Sequence, residues 1–163
     1  MTKIDWEEEF SRRNVLVWCT WVLVLAMVIG TVMMSCARAE IIDMNAIIQI
    51  ESSNNPVAYN TSTDARGLGQ ITPICLKEYN QFNKASHQPR DLFNPLINKQ
   101  IMSWYLTKRI PQMLRYYNKK VTVKNCIIAY NAGIKAVVKG YLPEETRRYI
   151  NRYNAIMEKR LNG

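Results

Sequence analysis

Residues 15–34 form twenty consecutive positions without a charged side chain, relieved only by Thr20, Gly30 and Thr31. As a helix this run spans about 30 Å at ~1.5 Å per residue, the thickness of a bilayer's hydrocarbon core. A buried helix of a soluble domain would keep a polar stripe, and this run has none. Arg12 and Arg13 immediately precede it, and basic flanks hold that end on the cytoplasmic side of a membrane. The run therefore divides the chain into a cytoplasmic n-region (1–14), a transmembrane or signal helix (15–34), a linker (35–43) and one exported domain (44–163).

Two processing outcomes stay open. Ala37-Arg38-Ala39 has the small-x-small pattern of a cleavage site, whereas twenty apolar residues exceed the 7–15 usual for a signal peptide. A retained membrane anchor and a cleaved signal both fit. Ser11-Arg12-Arg13 and Cys36 only faintly resemble a twin-arginine start and a lipidation cysteine.

Charge is distributed unequally along the 163 residues. Residues 1–39 carry four basic and four acidic groups, so the net +9 belongs entirely to residues 40–163. Clusters such as Lys119-Lys120-Lys124 and Arg147-Arg148-Arg152 are modest. No nucleic-acid-binding motif accompanies them, so no nucleic-acid partner is expected. A solvated surface accounts for most of these residues; attraction to an anionic cell wall is the functional alternative. His87 is the sole histidine, which excludes His-rich metal sites and leaves a Ser-His-Asp triad without support; neither metal nor cofactor is expected. The exported cysteines, Cys75 and Cys126, read as small buried hydrophobes, with a disulfide as the alternative that export would permit.

Residues 40–163 show helix signals and little sign of strands, which makes the domain all-α or α-dominated. Asp43 can cap a helix carrying Ile47, Ile48 and Ile50 that stops near Ser52-Ser53-Asn54-Asn55-Pro56. Thr72-Pro73 and Asn94-Pro95 each combine an N-cap with proline at the first helical position. The second of these helices carries Ile97, Ile101, Trp104 and Tyr105 on one face, and Pro111 should break or kink it. Thr122 opens a helix running to Gly133. Pro143-Glu144-Glu145 opens the last, with acids in its first turn and Tyr149, Tyr153, Ile156 and Leu161 facing inward.

Four short segments stand out from this background: Ile50-Glu51-Ser52-Ser53-Asn54-Asn55-Pro56, Gly67-Leu68-Gly69-Gln70-Ile71-Thr72-Pro73, Ala129-Tyr130-Asn131-Ala132-Gly133, and Glu145-Thr146-Arg147-Arg148-Tyr149-Ile150. Each alone is weak. In this order, over residues 44–155, they resemble the motifs of the soluble lytic transglycosylase family, whose catalytic domain is similar to goose-type lysozyme. The resemblance implies a lysozyme-like fold and a peptidoglycan glycan strand as substrate. It also implies location in the bacterial envelope, with residues 15–34 holding the inner membrane if uncleaved.

Cleaving a glycosidic bond needs an acid that still holds its proton near neutral pH. Glu51 follows an apolar turn and lies near the end of its helix, where burial and the helix dipole both disfavour negative charge. Position alone would leave it an ordinary surface glutamate; the surrounding motif makes it the candidate catalytic residue. In the family one glutamate protonates the bond and then deprotonates the C6 hydroxyl of the same sugar, giving a 1,6-anhydro-N-acetylmuramic end. The resemblance further implies that Tyr149 holds the geometry of Glu51. It places Gln70, Tyr130, Asn131, Ser52, Gly67 and Gly69 along the sugar cleft. Each has a plainer alternative: Tyr149 as core, Asn131-Ala132-Gly133 as a helix stop, Gln70 as a turn residue.

The chain departs from the family pattern in four places, the first being a connector between Glu51 and Gly67 that is one residue longer than usual. Gly69 stands where methionine is common, which would open the cleft locally. The serine often found between the first two motifs is replaced by Asn60 or displaced to Ser62. Asp64 stands where glycine is usual. It fits a turn residue that tolerates positive φ, or alternatively a group that orients a water and gives hydrolysis. Two other functions follow from these alternatives, a lysozyme-type hydrolase and a non-catalytic wall-binding module. The compact architecture also suggests service to an envelope-spanning secretion or conjugation machine that opens the wall locally.

Overall fold

The computed structural model describes residues 42–162. The charge-free run 15–34, its cleavage pattern and Cys36 lie outside the described residues. Ile42 and Asp43, assigned to the linker by sequence, belong to the folded body. Asp43 accepts from the N–H groups of Asn45 and Ala46 at 2.8 and 3.0 Å and so caps the first helix, α1 (Met44–Ser52). Such a cap is worth about 1 kcal/mol.

α1 ends where Ser53 turns left-handed at φ 51°. A two-stranded antiparallel hairpin follows, β1 (Tyr59–Asn60) and β2 (Ala65–Arg66), pairing Tyr59 with Arg66 and Asn60 with Ala65. The sequence offered only a polar stretch here. Two-residue strands carry too little alternation to register as a pattern, and the hairpin is defined by its turn, where Asp64 has φ 56°. α2 (Pro73–Asn83) opens on the Thr72 cap as expected. A short 3-10 turn (Pro89–Phe93) leads into α3 (Pro95–Trp104), capped by Asn94.

Pro111 does not end that helix. A π turn (Tyr105–Arg109) intervenes, in which the Ile110 N–H reaches the Tyr105 carbonyl, and α4 (Ile110–Tyr116) then continues. In regular α geometry the proline ring would collide with the carbonyl four residues earlier and remove one N–H donor. The widened turn absorbs that conflict within a continuous helical backbone. α5 (Val123–Ala132) and a short α6 (Ile134–Lys139), which the sequence did not resolve as a separate element, meet at Gly133 with φ 80°. α7 (Glu144–Leu161) closes the domain.

The core is one apolar cluster contributed by every helix, with Ile47, Ile71, Leu92, Ile101, Met102, Leu106, Ile110, Leu114 and Ile127 fully buried. Cys75 and Cys126 are buried free thiols within it. α7 buries Thr146, Tyr149, Ile150 and Tyr153. Leu161, expected on this inner face, is 81% exposed because the helix outlasts the body it packs against. α1 and α7 run antiparallel: the Tyr153 hydroxyl accepts from the Asp43 N–H at 2.9 Å, Arg160 pairs with the Asp43 carboxylate, and Tyr149 meets the other end of α1.

Candidate active site

Glu51 sits in the last turn of α1, beyond Ala46, Ile47 and Ile48, all buried. Its carboxylate accepts a hydrogen bond from the Tyr149 hydroxyl at 2.8 Å. Burial raises its pKa from 4.5 to about 7, the Tyr149 bond and the Arg152 charge pull it down, and the like charge of Glu145 pushes it up. The net result is a carboxyl half-protonated near neutrality, which is what a general acid requires. Burial, the nearby Glu51 charge and their hydrogen bond raise the Tyr149 phenol, so it stays a donor.

Glu51 opens into a cleft of about 280 Å³ between the hairpin and the α5–α7 side of the domain. Asn60, Thr63 and Ala65 form the hairpin wall, Asn131 and Glu145 the opposite one, and Gln70, Ile71, Thr72, Cys75 and Tyr130 lie between them. Of the residues singled out in the sequence, Glu51, Gln70, Tyr130 and Asn131 meet at this cleft. The Cys75 thiol is pushed up to about 12 by burial and the Glu78 charge, so it lines the cleft as a neutral thiol.

The remaining singled-out residues do not line the cleft. Tyr149 is 3% exposed and touches Glu51 from the α7 side. Ser52 Oγ donates to the Ile48 carbonyl of its own helix at 3.2 Å. Gly67, at φ 72°, is packed so closely that a Cβ would stand 2.2 Å from the Leu92 carbonyl oxygen and 2.4 Å from Asn98 Nδ2. Gly69 does not open the cleft: a Cβ there would meet Met102 Sδ at 2.9 Å and the Tyr130 hydroxyl at 3.0 Å. The room a larger residue would need is already filled by the α3 thioether.

The turn carrying Gln70 is braced at three points. Arg66 and Ile71 exchange backbone hydrogen bonds of 3.1 Å, and Gln70 Nε2 donates to the Gly67 carbonyl at 3.1 Å. The Tyr130 hydroxyl donates to the Gly69 carbonyl at 2.6 Å. Beneath them Asn98, fully buried, accepts from the Gly69 N–H at 2.8 Å and donates to the Arg66 and Leu92 carbonyls at 2.9 and 2.8 Å. Asn131 Oδ1 accepts from the Thr146 hydroxyl at 2.8 Å, which ties the α5 motif to the α7 motif.

Asn98 escaped the sequence reading, and Thr146, Glu145 and Asn60 entered it without an assigned role. Asn98 and Thr146 hold the motifs in place, Glu145 supplies a second carboxylate to the cleft, and Asn60 lines the hairpin wall. Asn98 left one signal: it sits three and four residues before the fully buried Ile101 and Met102, a polar residue on an apolar stripe. Asp64, the alternative water-orienting group, is absent from the cleft lining. Its carboxylate takes two bonds from Arg66, at 2.7 and 3.1 Å, and Arg66 holds it below the usual carboxylate range.

An acid poised near neutral pH, held by a tyrosine at the wall of a polar cleft, is glycosidase-like chemistry, and the family model for the transglycosylase SLT domain matches residues 42–152. The chain belongs to the SLT transglycosylase family. Members of that family are lytic transglycosylases, lyases that act on peptidoglycan in the cell envelope, and the chain is an enzyme of this class with an extracytoplasmic domain. No curated protein and no solved structure matched the chain.

Proposed function

We propose that the protein cleaves the β-1,4 bond between N-acetylmuramic acid and N-acetylglucosamine with Glu51 as both acid and base. The Glu51 carboxyl gives its proton to the glycosidic oxygen as the bond from C1 to that oxygen breaks. The carboxylate so formed takes the proton of the C6 hydroxyl while O6 bonds to C1, leaving a 1,6-anhydro end. Protons balance over the two steps, and no water is consumed. The observation that carries this reading is the partly buried Glu51 carboxyl, raised to about 7 and held by the Tyr149 hydroxyl at 2.8 Å.

The cleft walls suit an amino sugar. Asn131 Oδ1 is engaged by Thr146 and Gln70 Nε2 by the backbone of its turn, which leaves Asn131 Nδ2 to donate and Gln70 Oε1 to accept. Those are the partners that an acetamido carbonyl and a sugar hydroxyl need. If uncleaved, residues 15–34, preceded by Arg12 and Arg13, would hold this domain at the outer face of the inner membrane; if cleaved, they would act only as its export signal.

A lysozyme-type hydrolysis remains the second reading because Glu145 shares the cleft with Glu51 and could orient a water. Mass spectrometry of muropeptides released from purified peptidoglycan separates the two. Anhydro-muramic ends, absent with Glu51→Gln, are expected; reducing ends would replace the transglycosylase reading with hydrolysis.

A further inference from the structure

Residues 92–143 hold nine lysine and arginine residues and no acid. The stretches on either side, 40–91 and 144–163, cancel to zero, so this one segment carries the whole +9 of the domain. Arg109 and Lys119 are half-buried and the other seven are exposed. The cleft does not account for this segregation, because the charged residues that line it, Glu51 and Glu145, both lie outside the segment.

A second cavity, of about 290 Å³, opens within this basic segment between α4 and α6, lined by Arg109, Gln112, Met113, Tyr116, Tyr117 and Ile134. Tyr116 is 81% exposed and Tyr117 is exposed beside it, with ring centroids 5.0 Å apart at 87°. The elements that wall the cavity also carry the cations: Lys108 precedes Arg109 in the π turn, Lys119 and Lys120 follow Tyr117, and Lys135 and Lys139 belong to α6. Glu78 of α2 reaches this face and holds Arg109 through bonds of 2.9 and 3.2 Å. Gln112 Oε1 takes a third N–H at 3.5 Å; a guanidinium has five, so Arg109 keeps donors for an incoming carboxylate.

We propose that this face docks an acidic segment of a partner protein, which inserts an apolar side chain into the cavity and sets its carboxylates against Arg109 and the flanking lysines. Charge complementarity names the sign of the partner, and the cavity names its class. A hollow floored by Met113 and Ile134 and rimmed by tyrosine rings desolvates an inserted side chain, as the anchor pockets of protein interfaces do. An anionic bilayer would leave a hollow empty, since lipid takes up protruding apolar residues. A polymer of charged groups alone has no apolar anchor to fill it. The surrounding cations would steer the encounter and make it sensitive to salt. The proposal is independent of the chemistry at Glu51.

The test titrates the full chain against fluorescein-labelled dodecapeptides with a central Leu, Phe or Gly and flanks of Glu or Gln, read by fluorescence polarisation at low and high salt. The Glu-flanked Leu and Phe peptides should bind about tenfold more tightly than their Gln-flanked or Gly-centred counterparts. Tyr116→Ala should weaken them about tenfold, and Lys119→Gln with Lys120→Gln should weaken them and flatten the salt dependence. Both variants should release muropeptides from purified peptidoglycan at the parental rate. Equal binding of Glu and Gln peptides, or of Leu and Gly peptides, overturns the docking site, as does a Tyr116→Ala chain that binds like the parent. Slower muropeptide release by Tyr116→Ala would give the cavity to the glycan instead. Preference for phosphatidylglycerol over phosphatidylcholine vesicles, lost in the lysine variant and untouched by Tyr116→Ala, would give the face to lipid and overturn the proposal equally.

Discussion

The Tyr149 hydroxyl donates to Glu51 Oε1 at 2.8 Å across 98 residues of chain, joining the first described helix to the last. The two residues set opposing demands on one proton. Burial favours the neutral carboxyl, whereas the phenol donates to the carboxylate and favours the charged form. A group near 7 can give a proton to a leaving oxygen and afterwards accept one, which is what the proposed mechanism asks of Glu51.

The balance fixes a pH dependence. Activity should fall about tenfold per pH unit above about 7, where Glu51 loses the proton it must donate. Stability changes in the same window. The folded carboxyl titrates near 7 and the unfolded one near 4.5, so the folded chain binds the extra proton in between, and stability declines as pH rises through that range. At about pH 8, Glu51→Gln should exceed the parent in stability by up to about 3 kcal/mol, at ~1.4 kcal/mol per unit. Near pH 4 the difference should vanish. Thermal melts of both proteins at the two pH values check this.

Tyr149→Phe removes the donor while keeping the ring. A hydrogen bond to a charged group is worth about 1.5–3 kcal/mol, so the Glu51 carboxyl should titrate about one to two units higher. The basic limb of the activity profile should move upward by that amount while maximal kcat drops about tenfold through lost orientation. A tyrosine that served only as packing would lower the melting temperature and leave the limb in place.

Glu145 acts with the opposite sign. Its charge across the cleft raises the Glu51 pKa, so Glu145→Gln should move the basic limb downward, and Arg152→Gln, which removes an opposite charge, should move it upward. Both side chains belong to exposed residues, and neither variant should lower the melting temperature by more than a few degrees. A pH–rate profile that stays fixed in both variants would remove Glu145 and Arg152 from the electrostatics of the cleft.

The caps and the motif order were legible because each is local. Asp43, Thr72, Asn94 and Thr122 all accept from N–H groups in the first turn of their helices, where their side-chain chemistry predicted. The contacts that hold the motifs together are long-range and left almost no trace. Asn98 reaches Gly69 across 29 residues, and Thr146 reaches Asn131 across 15. Pro111 signalled an interruption of the helix but not its form: the proline rule assumes α geometry, and the turn ahead of Pro111 widens into a π turn.

Asn98 should be costly to replace. Asn98→Leu leaves the Gly69 N–H and the Arg66 and Leu92 carbonyls without their buried partner. Each such group costs about 1–3 kcal/mol, so a total of about 3–5 kcal/mol is expected after local relaxation. Denaturant unfolding of the purified variant measures it; a loss under about 1 kcal/mol would show that water replaces the amide.

Gly69 and Met102 should behave as one unit. A Cβ on residue 69 meets Met102 Sδ at 2.9 Å and the Tyr130 hydroxyl at 3.0 Å, so Gly69→Ala overpacks a fully buried neighbourhood. Such crowding costs about 1–3 kcal/mol. Met102→Ala alone creates a cavity and costs about 2–5 kcal/mol. Combined, the added methyl enters space the thioether has vacated, and the double variant should be more stable than the sum of the single losses by about 1 kcal/mol or more. The same cycle, read on activity, separates Met102 from Tyr130 as the rigid neighbour. If Met102→Ala relieves the stability loss but not the loss of kcat, the displaced group is the Tyr130 hydroxyl, and the Gly69 carbonyl to which it donates at 2.6 Å is what keeps that wall of the cleft in register.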